Sequence, residues 1–141
     1  MSLLSISRCV TELARRDPDR PAVIDEDGTL TRHELDLRTN ALARAYAGLG
    51  DGPGALVTIA LPNGRAFVEA CVAVWKLGGT PQPVSARLPP AELAAVIALA
   101  DPVLVVGADA PGRTSVEAGL PLPDDTSPLV DAVSQEWKAP T

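Results

Sequence analysis

The chain has 141 residues, 46% of them hydrophobic and 21% charged, with 12 Lys and Arg against 18 Asp and Glu for a formal net charge of −6. That length suits one domain with one core, and the balance excludes a disordered tail. The acidic excess argues against a nucleic-acid partner, which clustered Lys and Arg would have to hold, and Arg65, Glu69 and Lys76 interrupt the most apolar stretch well short of a membrane span.

The opening MSLLSISRCVTELARRD lacks a basic flank, a continuous apolar block and a small-residue cleavage site, so cytoplasm is the expected compartment. Within it, residues 5–16 carry Ile6, Cys9 or Val10, and Leu13 at three- and four-residue intervals, which predicts a helix with those residues as its buried stripe. Pro18 and Pro21 end it. Residues 22–25 and 29–30 flank Asp27-Gly28, a turn pair that predicts a small hairpin. Thr31 with Glu34 three residues on forms a capping box, so the next helix starts there and runs toward Gly48 and Gly50.

Residues 55–61, ALVTIAL, form an apolar run without helical spacing, the pattern of a strand covered on both faces in a parallel sheet. A largely buried helix over 64–77 follows, with Phe67, Cys71, Val74 and Trp75 on its apolar face, and Gly78-Gly79 stops it. The strand over 80–84 contains Pro81 and Pro83, whose missing N–H groups point to one side, so it is an edge strand or has one unpaired side. A helix over 90–100 begins with Pro90 in its first turn, and residues 103–106 give another apolar strand. The alternation predicts an α/β fold, a mainly parallel sheet with crossover helices plus a small hairpin. Beyond Gly107 the residues are those of irregular chain to Pro128, with at most a short helix near 129–133.

Few residues carry chemistry. The glycine run at 48–54 follows a helix and precedes a strand, the reverse of a phosphate cradle, and reads as a helix stop. Asn63, after a parallel strand and before a helix, stands where an anion could bind, although it could equally cap that helix. Arg87 holds the corresponding place after the proline-flanked strand and could pair with a phosphate or remain solvated. The single histidine, His33, and the carboxylates Asp17, Asp19, Asp25, Glu26 and Asp27 read as surface groups. Cys9 and Cys71 read as buried free thiols without metal spacing. No catalytic residue and no metal ligand is assigned.

Four segments carry a resemblance: Leu30-Thr31-Arg32-His33-Glu34-Leu35, Asn40-Ala41-Leu42-Ala43-Arg44, Ala60-Leu61-Pro62-Asn63, and Trp75 through Val84, reading WKLGGTPQPV. In this order and spacing, over about residues 5–106, the chain resembles the N-terminal portion of acyl-CoA synthetases and their relatives, the AMP-binding adenylate-forming ligases. The resemblance implies a two-step reaction in which a carboxylic acid attacks the α-phosphate of ATP with Mg2+, and a thiol, often of CoA, then displaces AMP. It also implies that the phosphate-binding loop and the catalytic lysine lie outside this chain.

The expected organisation is therefore a subdomain over 1–106 and an irregular extension over 107–141 leading toward that loop. The expected role is an N-terminal fragment of an acyl-CoA ligase, inactive alone. Its rival is a non-catalytic or split-enzyme module that pairs with a ligase or with itself. The expected partner is the remainder of the ligase or a second copy, with contact through the apolar 103–106 edge or the 107–141 segment.

Overall fold

In a computed structural model, which describes residues 5–129, the chain forms two sheets and four helices. The expected short helix near 129–133 lies almost wholly outside the described residues. Helix α1 (Ile6–Arg16) starts at Ser5, whose hydroxyl accepts from the Arg8 N–H. Strands β1 (Pro21–Asp25) and β2 (Gly28–Thr31) pair antiparallel as the predicted hairpin. Helix α2 (Arg32–Ala47) opens with the predicted capping box, Thr31 Oγ1 accepting from the Glu34 N–H and Glu34 Oε1 from the Thr31 N–H, both at 3.1 Å. Gly48 keeps right-handed helical geometry at its end, and Gly50, at φ +105°, makes the turn that needs glycine.

Strand β3 (Leu56–Ile59), helix α3 (Arg65–Lys76), strand β4 (Thr80–Pro83), helix α4 (Pro90–Ala100) and strand β5 (Leu104–Val106) then alternate. With β6 (Ser115–Val116) added, the sheet order is β4-β3-β5-β6, and every pairing in it is parallel. Strand β4 lies at the edge, as its prolines require. The N–H groups of Thr80 and Val84 reach β3 and its flank, while Pro81 and Pro83 both lie between them at the alternate positions, where no donor is needed. Thr58, fully buried on β3, donates its hydroxyl to Gln82 Oε1 at 2.7 Å and so ties the edge strand inward.

Strand β5 shows how the layers stack. Leu104 and Val106 belong to the main core with Val57, Ile59, Ala73 and Val74, whereas Val105 packs with Ile97 and Ala110 on the other face. With period 2, successive residues of one strand feed opposite faces. Helices α2 and α3 thus cover one side of the sheet and α4 the other.

Three expectations change. The buried face of α1 is Ser7, Thr11 and Ala14, not the stripe of Ile6, Cys9 or Val10, and Leu13. The Thr11 hydroxyl donates to Asp36 Oδ1 at 2.9 Å and draws the small polar face inward, leaving Ile6 and Leu13 exposed and Cys9 half-buried. The segment after Gly107 is not wholly irregular, because Ser115–Val116 forms β6 beside β5, and Leu120 and Leu122 pack on the core. Strand β5 is consequently an interior strand, which removes 103–106 as an open edge for self-pairing.

Candidate functional site

The carboxyl ends of β3 and β4 are where parallel α/β layers bind ligands. Beyond β3, residues 60–64 lead into α3, whose first N–H groups have no partner within the helix. Asn63 does not cap it. The N-cap position belongs to Gly64, without a side-chain bond, and the cap comes from the hairpin instead: Asp25 Oδ2 accepts from the Arg65 N–H at 2.9 Å. The other oxygen, Oδ1, accepts from the Asp27 N–H at 2.9 Å. The Arg65 N–H foremost, then that of Asp27, holds the Asp25 carboxyl below its ordinary range. The helix end that could draw an external anion is already served by the chain's own carboxylate, 40 residues away in sequence.

A cleft of about 1020 Å³ opens beside this cap between the hairpin, α2, α3 and residues 118–122. Asn63 lies exposed on its rim with Asp25 and Arg65, and Leu42, Tyr46 and Leu120 line its apolar part. Across it Arg38 engages Glu69 through two bonds, Nε to Oε1 at 3.3 Å and Nη2 to Oε2 at 3.1 Å. Arg87 is exposed beyond β4 and does not line the cleft; its N–H donates to Ser85 Oγ at 3.2 Å. The structure therefore does not bring Asn63 and Arg87 together in one cavity. His33, Asp17, Asp19, Glu26 and Asp27 are exposed.

Two polar groups invisible to motif reading sit deeper. Lys76, fully buried, donates from Nζ to the Asp36 carbonyl at 3.0 Å, Asp36 Oδ1 at 2.8 Å and Asn40 Oδ1 at 2.7 Å, which uses all three ammonium protons. Burial lowers the Lys76 pKa, opposed by its bond to Asp36. Asn40 passes the network on, donating to the Thr126 carbonyl at 3.0 Å, while Arg44 meets Asp125 Oδ2 at 3.1 Å and the Ser127 carbonyl at 2.6 Å. This chain of bonds fastens residues 125–127 across α2. A lysine closing an apolar helix, with Asp36 and Asn40 one turn apart on another, was the available signal.

Asp51 is the second. Its Oδ1 accepts from the Gly52 N–H at 2.8 Å, Oδ2 is buried without a partner, and burial raises the carboxyl to about 6. It packs under Gly79, where an added Cβ would lie 2.8 Å from Asp51 Oδ1 and 3.1 Å from the Ala55 carbonyl oxygen. The glycine pair after α3 is thus a close-packing device. No nucleophile stands beside a base at any of these places, and no cluster of His, Cys, Asp or Glu among the described residues fits a metal ion. What the arrangement does chemically is hold a parallel α/β layer and strap its outgoing segment in place.

Comparison with known proteins assigns that layer. The chain is 33% identical over 133 residues to Nonribosomal peptide synthetase 8 of Aspergillus fumigatus, covering 92% of this chain and 2% of that protein. It is 33% identical over 130 residues to Novobiocin biosynthesis protein H of Streptomyces niveus, covering 79% of this chain and 22% of that one. Its fold matches a crystal structure of the nonribosomal peptide synthetase FmoA3 with a TM-score of 0.85 at 25% identity, over 96% of this chain and 15% of that one. It likewise matches the Klebsiella oxytoca NpsA N-terminal subdomain in complex with 3-hydroxyanthranilyl-AMSN, with a TM-score of 0.80, over 89% of this chain and 33% of that one; at 21% identity this likeness shows the fold alone.

Fold and matches together define the opening α/β layer of an adenylate-forming domain. The chain belongs to the family described as AMP-binding enzyme, which matches residues 10–140. It spans a small part of its curated relatives, 2% and 22% of the two named.

Proposed function

We propose that this chain supplies the first scaffold layer of an enzyme that activates an amino acid as its adenylate, using ATP and Mg2+, for transfer to a carrier-protein thiol. The carrying observation is its 33% identity, over 92% of its length, to a relative named as a nonribosomal peptide synthetase. Tyrocidine synthase 3 of Brevibacillus parabrevis, 37% identical over 86 residues, supports the same reading. The acyl-CoA ligase reading, with CoA as acceptor, belongs to the same superfamily but has less behind it, since Nonribosomal peptide synthetase 8 and the structural match FmoA3 both carry the peptide-synthetase name.

In this proposal residues 1–106 form most of the scaffold, β6 completes its sheet, the rest of 107–141 leads out of it, and the setting is cytoplasmic. No helix among the described residues is long and apolar enough to cross a membrane. The described residues do not fit a metal site, and the α3 N-terminus is closed by Asp25, so no step with Mg2+ is assigned to them. Asn63 and Arg87 are proposed as binding residues only toward ligands held mainly by the rest of the enzyme.

The test is ATP–pyrophosphate exchange. The chain is joined to the following part of a matched adenylation domain and screened with amino acids and fatty acids. Exchange with an amino acid is the expected result, with none from the 141-residue chain alone. Exchange restricted to fatty acids would restore the acyl-CoA reading, and strong exchange by the chain alone would overturn the scaffold role.

A further inference from the structure

The cleft beside the Asp25 cap contains a polar group that the fold leaves unused. Arg38, Leu42 and Tyr46 stand four residues apart on α2 and present one face to it. Tyr46 is 2% exposed, yet its hydroxyl has no hydrogen-bond partner among the described residues. Asp51 Oδ2 is the one polar side-chain atom among them that is both sealed from solvent and unpartnered, so the Tyr46 hydroxyl opens into the cleft. A buried tyrosine hydroxyl ordinarily finds a partner within the protein, and one left unpaired on the floor of a cavity is open to a ligand. The neighbouring Arg38 is held differently, since its fork is spent on both oxygens of Glu69.

The walls decide the class of ligand. Asp25, Glu26, Asp27 and Glu69 set four carboxylates against the two guanidiniums of Arg38 and Arg65, an excess of negative charge. Burial first, then the charges of Asp51 and Glu69, raises the Tyr46 hydroxyl above its ordinary pKa, so it stays a neutral phenol in a negative field. That field attracts a cation and repels a carboxylate. Leu42, Leu120 and Leu122 supply an apolar wall, and about 1020 Å³ is room for a small organic molecule. We propose that this cleft binds a primary amine carried on an apolar body, its ammonium donating to Tyr46 Oη and its body lying against Leu42 and Leu120. The site goes beyond the functional reading above and stands whichever acid the enzyme activates.

Phenethylamine is the probe, with hydrocinnamate and phenethyl alcohol as comparators of similar shape that carry a negative charge and none. Each is titrated into the 141-residue chain by calorimetry. The expected result is saturable binding of phenethylamine, at least about tenfold tighter than either comparator. Amide shifts followed by NMR should concentrate at Leu42, Tyr46 and Leu120. Absence of phenethylamine binding up to about 10 mM overturns the proposal. So does hydrocinnamate binding equally well, or a set of shifts centred on another surface.

Tyr46→Phe is the sharpest variant, because it removes a hydroxyl that holds nothing in the fold. Its urea midpoint should match that of wild type, while phenethylamine binds about tenfold more weakly. Unchanged affinity overturns the proposal. A lowered midpoint does so too, since it would show that the hydroxyl already has a partner within the protein. Neither readout uses ATP, so amine binding can hold while exchange assays reject amino-acid activation, and the reverse.

Discussion

Lys76 Nζ lies 2.8 Å from Asp36 Oδ1 in the interior, where Thr11 from α1 donates to the same carboxylate oxygen. Three helices meet on one carboxylate. A buried pair of this kind adds little net stability over an apolar replacement, yet removing one partner leaves a charge stranded in low dielectric. Asp36→Ala should therefore destabilise the fold by about 3–5 kcal/mol, read as a fall in the urea midpoint. The double variant Asp36→Leu with Lys76→Met should recover most of that loss. A single variant within about 0.5 kcal/mol of wild type would show the pair to be dispensable.

Asp51 gives stability a pH dependence near neutrality. Burial holds its carboxyl at about 6, above the ordinary 3.8, so the folded state favours the protonated form. The sign follows from linkage. The stabilisation is complete below about pH 4 and is lost as pH rises through about 6. Between pH 5 and pH 7 the loss is on the order of 1 kcal/mol. Asp51→Asn should remove this slope and be more stable than wild type at pH 7, measured by urea unfolding at both pH values. A wild-type midpoint that does not fall between pH 5 and 7 would mean that water reaches Oδ2.

Much of this architecture was legible because it is written in local signals. The capping box at Thr31 and Glu34, the turn at Asp27-Gly28 and the two prolines of β4 each act within a few residues, and each predicted its element. What escaped depends on partners distant in sequence. Asp25 caps a helix that begins 40 residues later, and Asn63, the local candidate, yields to it because the hairpin delivers a charged acceptor to the same N–H. The buried side of α1 was misjudged for a similar reason. Hydrophobic spacing selects Ile6 and Leu13, but the polar anchor at Asp36 selects Thr11. Two-residue β6 was too short to leave any period to read.

The Asp25 cap has its own test. Asp25→Ala takes away the only side-chain acceptor at the α3 N-terminus among the described residues. Amide exchange at Arg65 should accelerate, and the Tm should fall, because the freed N–H gains no replacement within the helix. Asn63→Ala should leave both unchanged. The opposite ranking would make Asn63 the cap in solution. Because its bonds hold the Asp25 carboxyl below its ordinary range, the cap persists through mild acid and weakens only as pH falls below the usual carboxylate range.

Gly107 closes the register between β3 and the segment leading to β6. Its backbone has φ +90°, and an added Cβ would lie 2.5 Å from both the Ala60 carbonyl oxygen and Leu61 Cδ2. The leucine methyl could move aside, but the carbonyl cannot, since the Ala60 N–H is itself bound to the Val106 carbonyl at 2.8 Å. Strain and clash add, so Gly107→Ala should destabilise by about 3 kcal/mol or more. Gly119→Ala, with nothing within 4 Å of its added carbon, is the matched control and should change the urea midpoint little. If Gly107→Ala proves as mild as Gly119→Ala, the chain at 107 sits further from Ala60 than the parallel sheet places it, and β6 would not hold its register against β5.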